Sequence, residues 1–104
     1  MANAKVALWV RMEAKPGKEK ELETFLRSAQ PLAEQEAFTL SWYVIGMGPS
    51  TFGIFDTFAD DGGRQKHLSG QIAAALMKKA PELLARPPEI NKVDIFAAKS
   101  LVAK

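Results

Sequence analysis

The chain has 104 residues, of which 47% are hydrophobic and 25% are charged, so it can form one globular domain spanning residues 1–104. Its 14 basic and 12 acidic residues leave a net charge of +2, which is too balanced to predict binding to nucleic acid. The absence of cysteine excludes disulfides and zinc–thiolate sites, and one histidine is too few for a histidine-built metal centre, so we predict no metal.

The first predicted elements are a strand and a long helix. In residues 5–13, the aliphatic residues Val6, Leu8, Val10 and Met12 occupy every second position, a period of two that indicates a strand. Residues 18–37 are rich in charged side chains and carry apolar side chains at spacings of three and four. This pattern predicts an amphipathic helix. Pro31 lies inside this segment, and we expect it to kink or restart the helix.

A hairpin is predicted next. Residues 38–45 and 51–58 are rich in β-branched and aromatic side chains, and the Gly-Met-Gly-Pro-Ser segment between them is typical of a turn. Gly53 within the second of these strands predicts a bulge or a close approach by another group.

The last predicted elements are a second helix and a fourth strand. Asp60 and Asp61 can cap a helix that we place at residues 64–80, ended or interrupted by Pro81. Residues 90–99 alternate again and predict the final strand, followed by a short tail at residues 100–104. No segment approaches the roughly 18 apolar residues of a membrane span, and we expect a cytoplasmic protein that does not bind membranes.

The element order βαββαβ predicts an α+β domain of the ferredoxin-like class, with the helices covering one face of a four-stranded antiparallel sheet. On the other face we expect Trp9, Tyr43 and Phe96. Because large aromatic side chains are costly to leave in water, this face predicts a homodimer.

Four segments resemble the antibiotic biosynthesis monooxygenase-like family. They are residues 10–18 (VRMEAKPGK), 36–43 (EAFTLSWY), 55–68 (FDTFADDGGRQKHL) and the closing strand at 93–99. The resemblance implies a dimeric α/β barrel and a cofactor-independent monooxygenase, an oxidoreductase that oxidises a phenolic, quinol or polycyclic aromatic substrate with O2. Phe38 stands where the family commonly has glycine, and Phe58 stands where several active members place a tryptophan.

His67 and Asp56 are the candidate catalytic residues. His67 titrates near neutrality and could take a proton from a phenol or quinol, and Asp56 could orient it. Each also has a structural interpretation. His67 could cap a backbone carbonyl or pair with Asp56 near the start of its helix, and Asp56 could accept hydrogen bonds from the turn after its strand.

Aromatic side chains could line a cavity for a flat substrate, although about half of them must belong to the core. We assign Arg64 and Arg11 to the same substrate site, while Arg11 could instead form a salt bridge or extend to solvent. The aromatic candidates are Trp9, Trp42, Tyr43, Phe55, Phe58 and Phe96.

Two other functions fit the same residues. One is a non-catalytic dimeric barrel that binds a small hydrophobic ligand or has a stress or regulatory role. The other is haem binding, with His67 as the axial ligand. An aromatic-lined pocket at which His67, Asp56 or Tyr43 converges would favour the enzyme, and an interior filled entirely with side chains would favour a structural role.

Overall fold

The computed structural model describes residues 3–99, in which four strands and four helices follow the predicted βαββαβ order. The strands are β1 (Val6–Glu13), β2 (Ser41–Gly46), β3 (Thr51–Phe58) and β4 (Glu89–Asp94). The helices are α1 (Glu19–Ser28), α2 (Gln30–Gln35), α3 (Asp61–Leu68) and α4 (Gln71–Leu83).

The strands form one antiparallel sheet in the order β2-β3-β1-β4. In the register, Trp9 lies opposite Phe55 in β3 and Asn91 in β4, and Tyr43 in β2 lies opposite Phe55 from the other side. The predicted ferredoxin-like fold class is therefore confirmed.

The core lies between the helices and one face of the sheet. Alternation in β1 and β3 directs every second side chain to this face. Each large apolar side chain buried here stabilises the fold by about 1.5–3 kcal/mol. The buried set includes Leu8, Met12, Leu22, Leu26, Ile54, Phe58, Leu76 and Leu83.

Both predicted helices are divided in two. The first breaks at Ala29, and Pro31 then lies in the first turn of α2, where its missing N–H leaves no bond unmade. The second breaks at Ser69 and Gly70, a division that the sequence analysis did not predict. Pro81 does not end α4, which continues to Leu83.

Two strand boundaries differ from their predictions. The second strand begins at Ser41 instead of residue 38, because the N–H of Thr39 donates to the carbonyl of Glu36 and makes a turn there. The last strand ends at Asp94, so the prediction that Phe96 lies on the sheet face is wrong, and its side chain is 95% exposed beyond the strand. The predicted tail at 100–104 lies outside the described residues.

The face of the sheet opposite the helices, here called the open face, carries partly exposed apolar side chains. Trp9 lies across Gly53, where an added Cβ would be 2.3 Å from the indole ring, so the close approach predicted for this glycine is present. The register continues through Gly53 without a bulge. The open face includes Trp9, Arg11, Tyr43, Ile45, Phe55, Glu89 and Val93.

Within residues 3–99, no helix has the length and apolar character needed to cross a membrane.

Candidate functional site

His67 lies between two carboxylates inside the layer between sheet and helices. Its Nδ1 is 2.8 Å from Oε1 of Glu36, and its Nε2 is 2.9 Å from Oδ2 of Asp56. His67 is 5% exposed and Asp56 is 1% exposed. We call these three residues the carboxylate–histidine cluster.

The two carboxylates favour the charged imidazolium form. Burial opposes protonation of His67, but the neighbouring carboxylates of Asp56 and Glu36 outweigh burial and raise the pKa of His67 above its ordinary value of 6.5. A protonated imidazole has an N–H on each nitrogen, which matches an acceptor on each side of the ring. His67 therefore holds its proton more tightly near neutrality than an exposed histidine does.

The elements position each member of the cluster. Asp56 points from β3 toward the helices, in register with Leu8 and Trp42 on the neighbouring strands. His67 lies in the last turn of α3, and not near a helix start as predicted, because the helix ends at Leu68. The negative end of the helix dipole adds to the preference for imidazolium.

Glu36 is the member that the sequence analysis missed. It caps the C-terminal end of α2, where a negative charge is unfavourable unless a cation lies nearby. Thr39 Oγ1 also donates to its Oε1 over 2.7 Å. An acidic residue at the end of a predicted helix was the available signal, but its partner lies 31 residues away along the chain.

Three buried polar atoms, two within the cluster and one beside it, lack a well-directed hydrogen bond with the described residues. They are both carboxylate oxygens of Asp56 and the indole Nε1 of Trp42. The contact between Asp56 Oδ2 and His67 is thus an ion pair with poor hydrogen-bond direction. A buried polar group without such a bond costs about 1–3 kcal/mol, so these atoms can gain by binding a polar group.

A cleft of about 320 Å³ lies beside α2 and the start of β2, and no member of the cluster lines it. Two residues connect them, because Thr39 lines the cleft and donates to Glu36, while Trp42 lines the cleft and lies in register with Asp56. The cleft is lined by Gln30, Ala33, Glu34, Thr39, Leu40, Ser41 and Trp42.

A second cleft, of about 410 Å³, lies between α1 and the β2–β3 turn. Val44 and Phe52 form its apolar part, and Glu23 and Arg27 at its rim bind each other over 2.8 Å. Because its charged groups already pair with each other, we place the candidate site at the first cleft.

The predicted site residues separate into two groups. Phe58 lies with the cluster, its ring centroid 5.4 Å from that of His67. Trp9, Tyr43 and Arg11 lie on the open face, so Tyr43 does not lie with His67 and Asp56. The sheet separates the two groups, because residues that differ by one in register point to opposite faces.

Arg64 is held by the fold. Its guanidinium donates to Oδ1 of Asp61 at 2.8 and 3.0 Å and to the carbonyl oxygens of Ala7 and Val93. These contacts join α3 to β1 and β4.

The three members of the cluster do not converge on one point, and the described residues contain no group of side chains placed to hold a metal ion. Both nitrogens of His67 face carboxylates, so neither is free to bind a haem iron in this arrangement.

No protein-family model and no curated protein matches the sequence. The solved structures include NE2512, a protein of unknown function from Nitrosomonas europaea, which is 57% identical over 96% of this chain and 97% of its own, with a TM-score of 0.93. A second protein of that organism, named "putative antibiotic biosynthesis monooxygenase", is 10% identical over 96% of this chain and 98% of its own, with a TM-score of 0.81. One from Chloroflexus aurantiacus with the same name is 17% identical over 95% of this chain and 100% of its own, with a TM-score of 0.73.

The two lower identities show a shared fold, which is the fold that the sequence motifs indicated. The identity to NE2512 extends over nearly the whole of both chains. The chain belongs to the family of the NE2512 protein, and it has the fold of the antibiotic biosynthesis monooxygenase-like proteins.

Proposed function

We propose that this protein is a cofactor-independent monooxygenase that oxidises a phenolic, quinol or polycyclic aromatic substrate with O2. The observation that carries the proposal is the buried carboxylate–histidine cluster beside the cleft that Trp42 lines. The fold shared with proteins named as monooxygenases supports the reaction class.

Burial makes the cluster costly as a purely structural feature. Desolvating charges offsets much of their mutual attraction, so apolar side chains of similar volume would often hold such a core equally well. Buried groups with shifted pKa values beside a cleft are typical of functional sites. The cluster therefore favours proton chemistry next to Trp42, which lines the cleft.

In the proposed reaction, the substrate supplies the electrons. A methylene carbon beside the phenolic ring loses two hydrogens and gains one oxygen atom of O2 as a carbonyl, and the second oxygen atom leaves with those hydrogens as water. The reaction starts when the substrate loses a proton. Asp56 is the acceptor, because its oxygens lack well-directed hydrogen bonds, while both nitrogens of His67 face carboxylates. His67, whose Nε2 is 2.9 Å from Asp56 Oδ2, orients the carboxylate for this transfer.

We also propose that the protein works as a homodimer joined through the open face. Tyr43 is 54% exposed there, beside the partly exposed Trp9 and Phe55. Arg11 in β1 and Glu89 in β4 are paired on this face, and we place each of them against the opposite charge of the second copy. This contact leaves the cleft accessible, because the cleft lies on the helical side.

The test is O2 uptake with anthrone, corrected for its uncatalysed oxidation. We expect uptake in proportion to protein, and a loss of about 100-fold or more in His67→Asn and Asp56→Asn, the range expected for lost proton transfer. Lys66→Ala is the matched control, since Lys66 is exposed on the same helix. Uptake equal to the protein-free rate would refute oxygenation of this substrate class, and full activity in both variants would remove the cluster from the mechanism.

The same geometry gives a second candidate, a non-catalytic dimeric barrel that binds a small hydrophobic molecule. It is favoured by the engagement of both His67 nitrogens, which leaves no imidazole nitrogen free to act as a base. Anthrone that binds without O2 uptake would support this function over the oxygenase.

A further inference from the structure

We infer that Trp42 and Asp56 together bind a hydroxyl group of the ligand, with the Trp42 indole N–H donating to the hydroxyl oxygen and an Asp56 oxygen accepting the hydroxyl hydrogen. The inference deepens the proposed function, since it rests on an aromatic molecule entering the cleft that Trp42 lines.

The sheet register places the two residues side by side. Trp42 in β2 and Asp56 in β3 are directly paired, and both point toward the helices. Directly paired residues on antiparallel strands have Cβ atoms about 4.5–5.5 Å apart, so one small group can contact both side chains.

Both side chains offer unused polar atoms. The indole Nε1 of Trp42 is buried with no acceptor, and the oxygens of Asp56 are buried without a well-directed donor from the described residues. No hydrogen bond joins the two side chains to each other. A donor and an acceptor therefore lie together, each with capacity for a partner.

The chemistry of this pair selects the ligand group. An indole N–H only donates and an ionised carboxylate only accepts, so the group between them must accept and donate at once. A hydroxyl does both on one atom, whereas a ketone or ether lacks the hydrogen and a carboxylate is repelled by Asp56.

The experiment compares two probes, 1-naphthol and its methyl ether 1-methoxynaphthalene, by NMR of protein labelled with ¹⁵N at the indole nitrogens. The two tryptophans give two signals, and Trp9→Phe assigns them. We expect 1-naphthol to shift the Trp42 signal saturably and to bind about tenfold more tightly than the ether, a preference that Trp42→Phe abolishes. Tyr43→Phe, which removes a hydroxyl on the open face, is the matched control and keeps the preference.

Measuring O2 uptake with anthrone on the same samples separates the two proposals. If 1-naphthol binds but leaves the Trp42 signal unchanged, the inference is overturned. If the same sample also consumes O2, the oxygenase proposal still stands. A Trp42 shift with the expected preference supports the inference, even where absent O2 uptake refutes the oxygenase. Equal affinity for both probes, or no binding of 1-naphthol, overturns the inference.

Discussion

The proton of His67 links the cluster to the stability of the fold. In the folded chain, Asp56 and Glu36 hold the pKa of His67 above the ordinary value of 6.5 that applies when the chain unfolds. The folded state therefore binds this proton more tightly than the unfolded state does. The contribution is fully present below the unfolded pKa, and it is lost as the pH rises through the folded pKa.

We therefore predict that the free energy of unfolding falls as the pH rises from about 6 into the alkaline range, and that His67→Gln removes this part of the pH dependence. Urea unfolding followed by circular dichroism, at one fixed protein concentration, measures it. Lys66→Ala should keep the wild-type profile. Two results would contradict the conclusion that the carboxylates raise the pKa of His67. One is a wild-type free energy of unfolding that rises with pH over this interval, and the other is a pH dependence that His67→Gln leaves unchanged.

At the scale of elements, α3 carries His67 to its position beside Asp56, although the sequence of α3 has a low helix propensity. Gly62 and Gly63 lie in its first turn, where glycine lowers helix propensity. Asp60 offsets this, because its Oδ1 accepts a hydrogen bond of 2.9 Å from the N–H of Gly63. The far end of the helix brings His67 to Asp56, so the cap also supports the cluster.

Removing the cap by Asp60→Ala should lower the free energy of unfolding by about 1 kcal/mol, the usual effect of losing an N-cap side chain. Urea unfolding at pH 7 measures the change. Asp60→Asn is the control, since asparagine also caps helices and removes only the charge. Equal stability of the alanine and asparagine variants would show that the cap does not hold α3.

At the scale of the whole molecule, the helices cover one face of the sheet and leave the other open. Trp9 flattens that face by lying on Gly53, and Tyr43 projects from it with 54% of its surface exposed. An apolar surface of this kind, which also carries the paired charges of Arg11 and Glu89, is suited to pairing with a second copy.

We expect the wild-type protein to sediment at twice the mass of one chain at micromolar concentration, and Tyr43→Glu to sediment as a monomer because it buries a charge in the interface. Met77→Glu is the matched control, since Met77 on α4 is 53% exposed and lies on the helical side. A wild-type mass of one chain would refute the homodimer, and a monomer in both variants would place the interface elsewhere.

Local pattern was sufficient to predict much of this fold. Period-two alternation predicted β1 and β4, and the core faces of α1 and α4 followed from apolar spacing. Pro31 marked a helix break, and Asp60 marked a cap. The resemblance to the monooxygenase-like proteins was confirmed as a likeness of fold.

The limits of prediction were also physical. Whether Gly70 breaks a helix depends on how the following turn packs, and whether the last strand reaches Phe96 depends on a partner strand being present there. Both are decided by neighbours distant in sequence, which outweigh local propensity.

The sequence by itself determined the element order, the core faces and two members of the candidate site, because each depends on residues a few positions apart. Only the tertiary structure showed that Glu36 completes the cluster, that Trp42 lies beside Asp56, and that Tyr43 lies on the opposite face. These depend on strand register and helix ends, and a shift of one residue in register would exchange the two faces of the sheet.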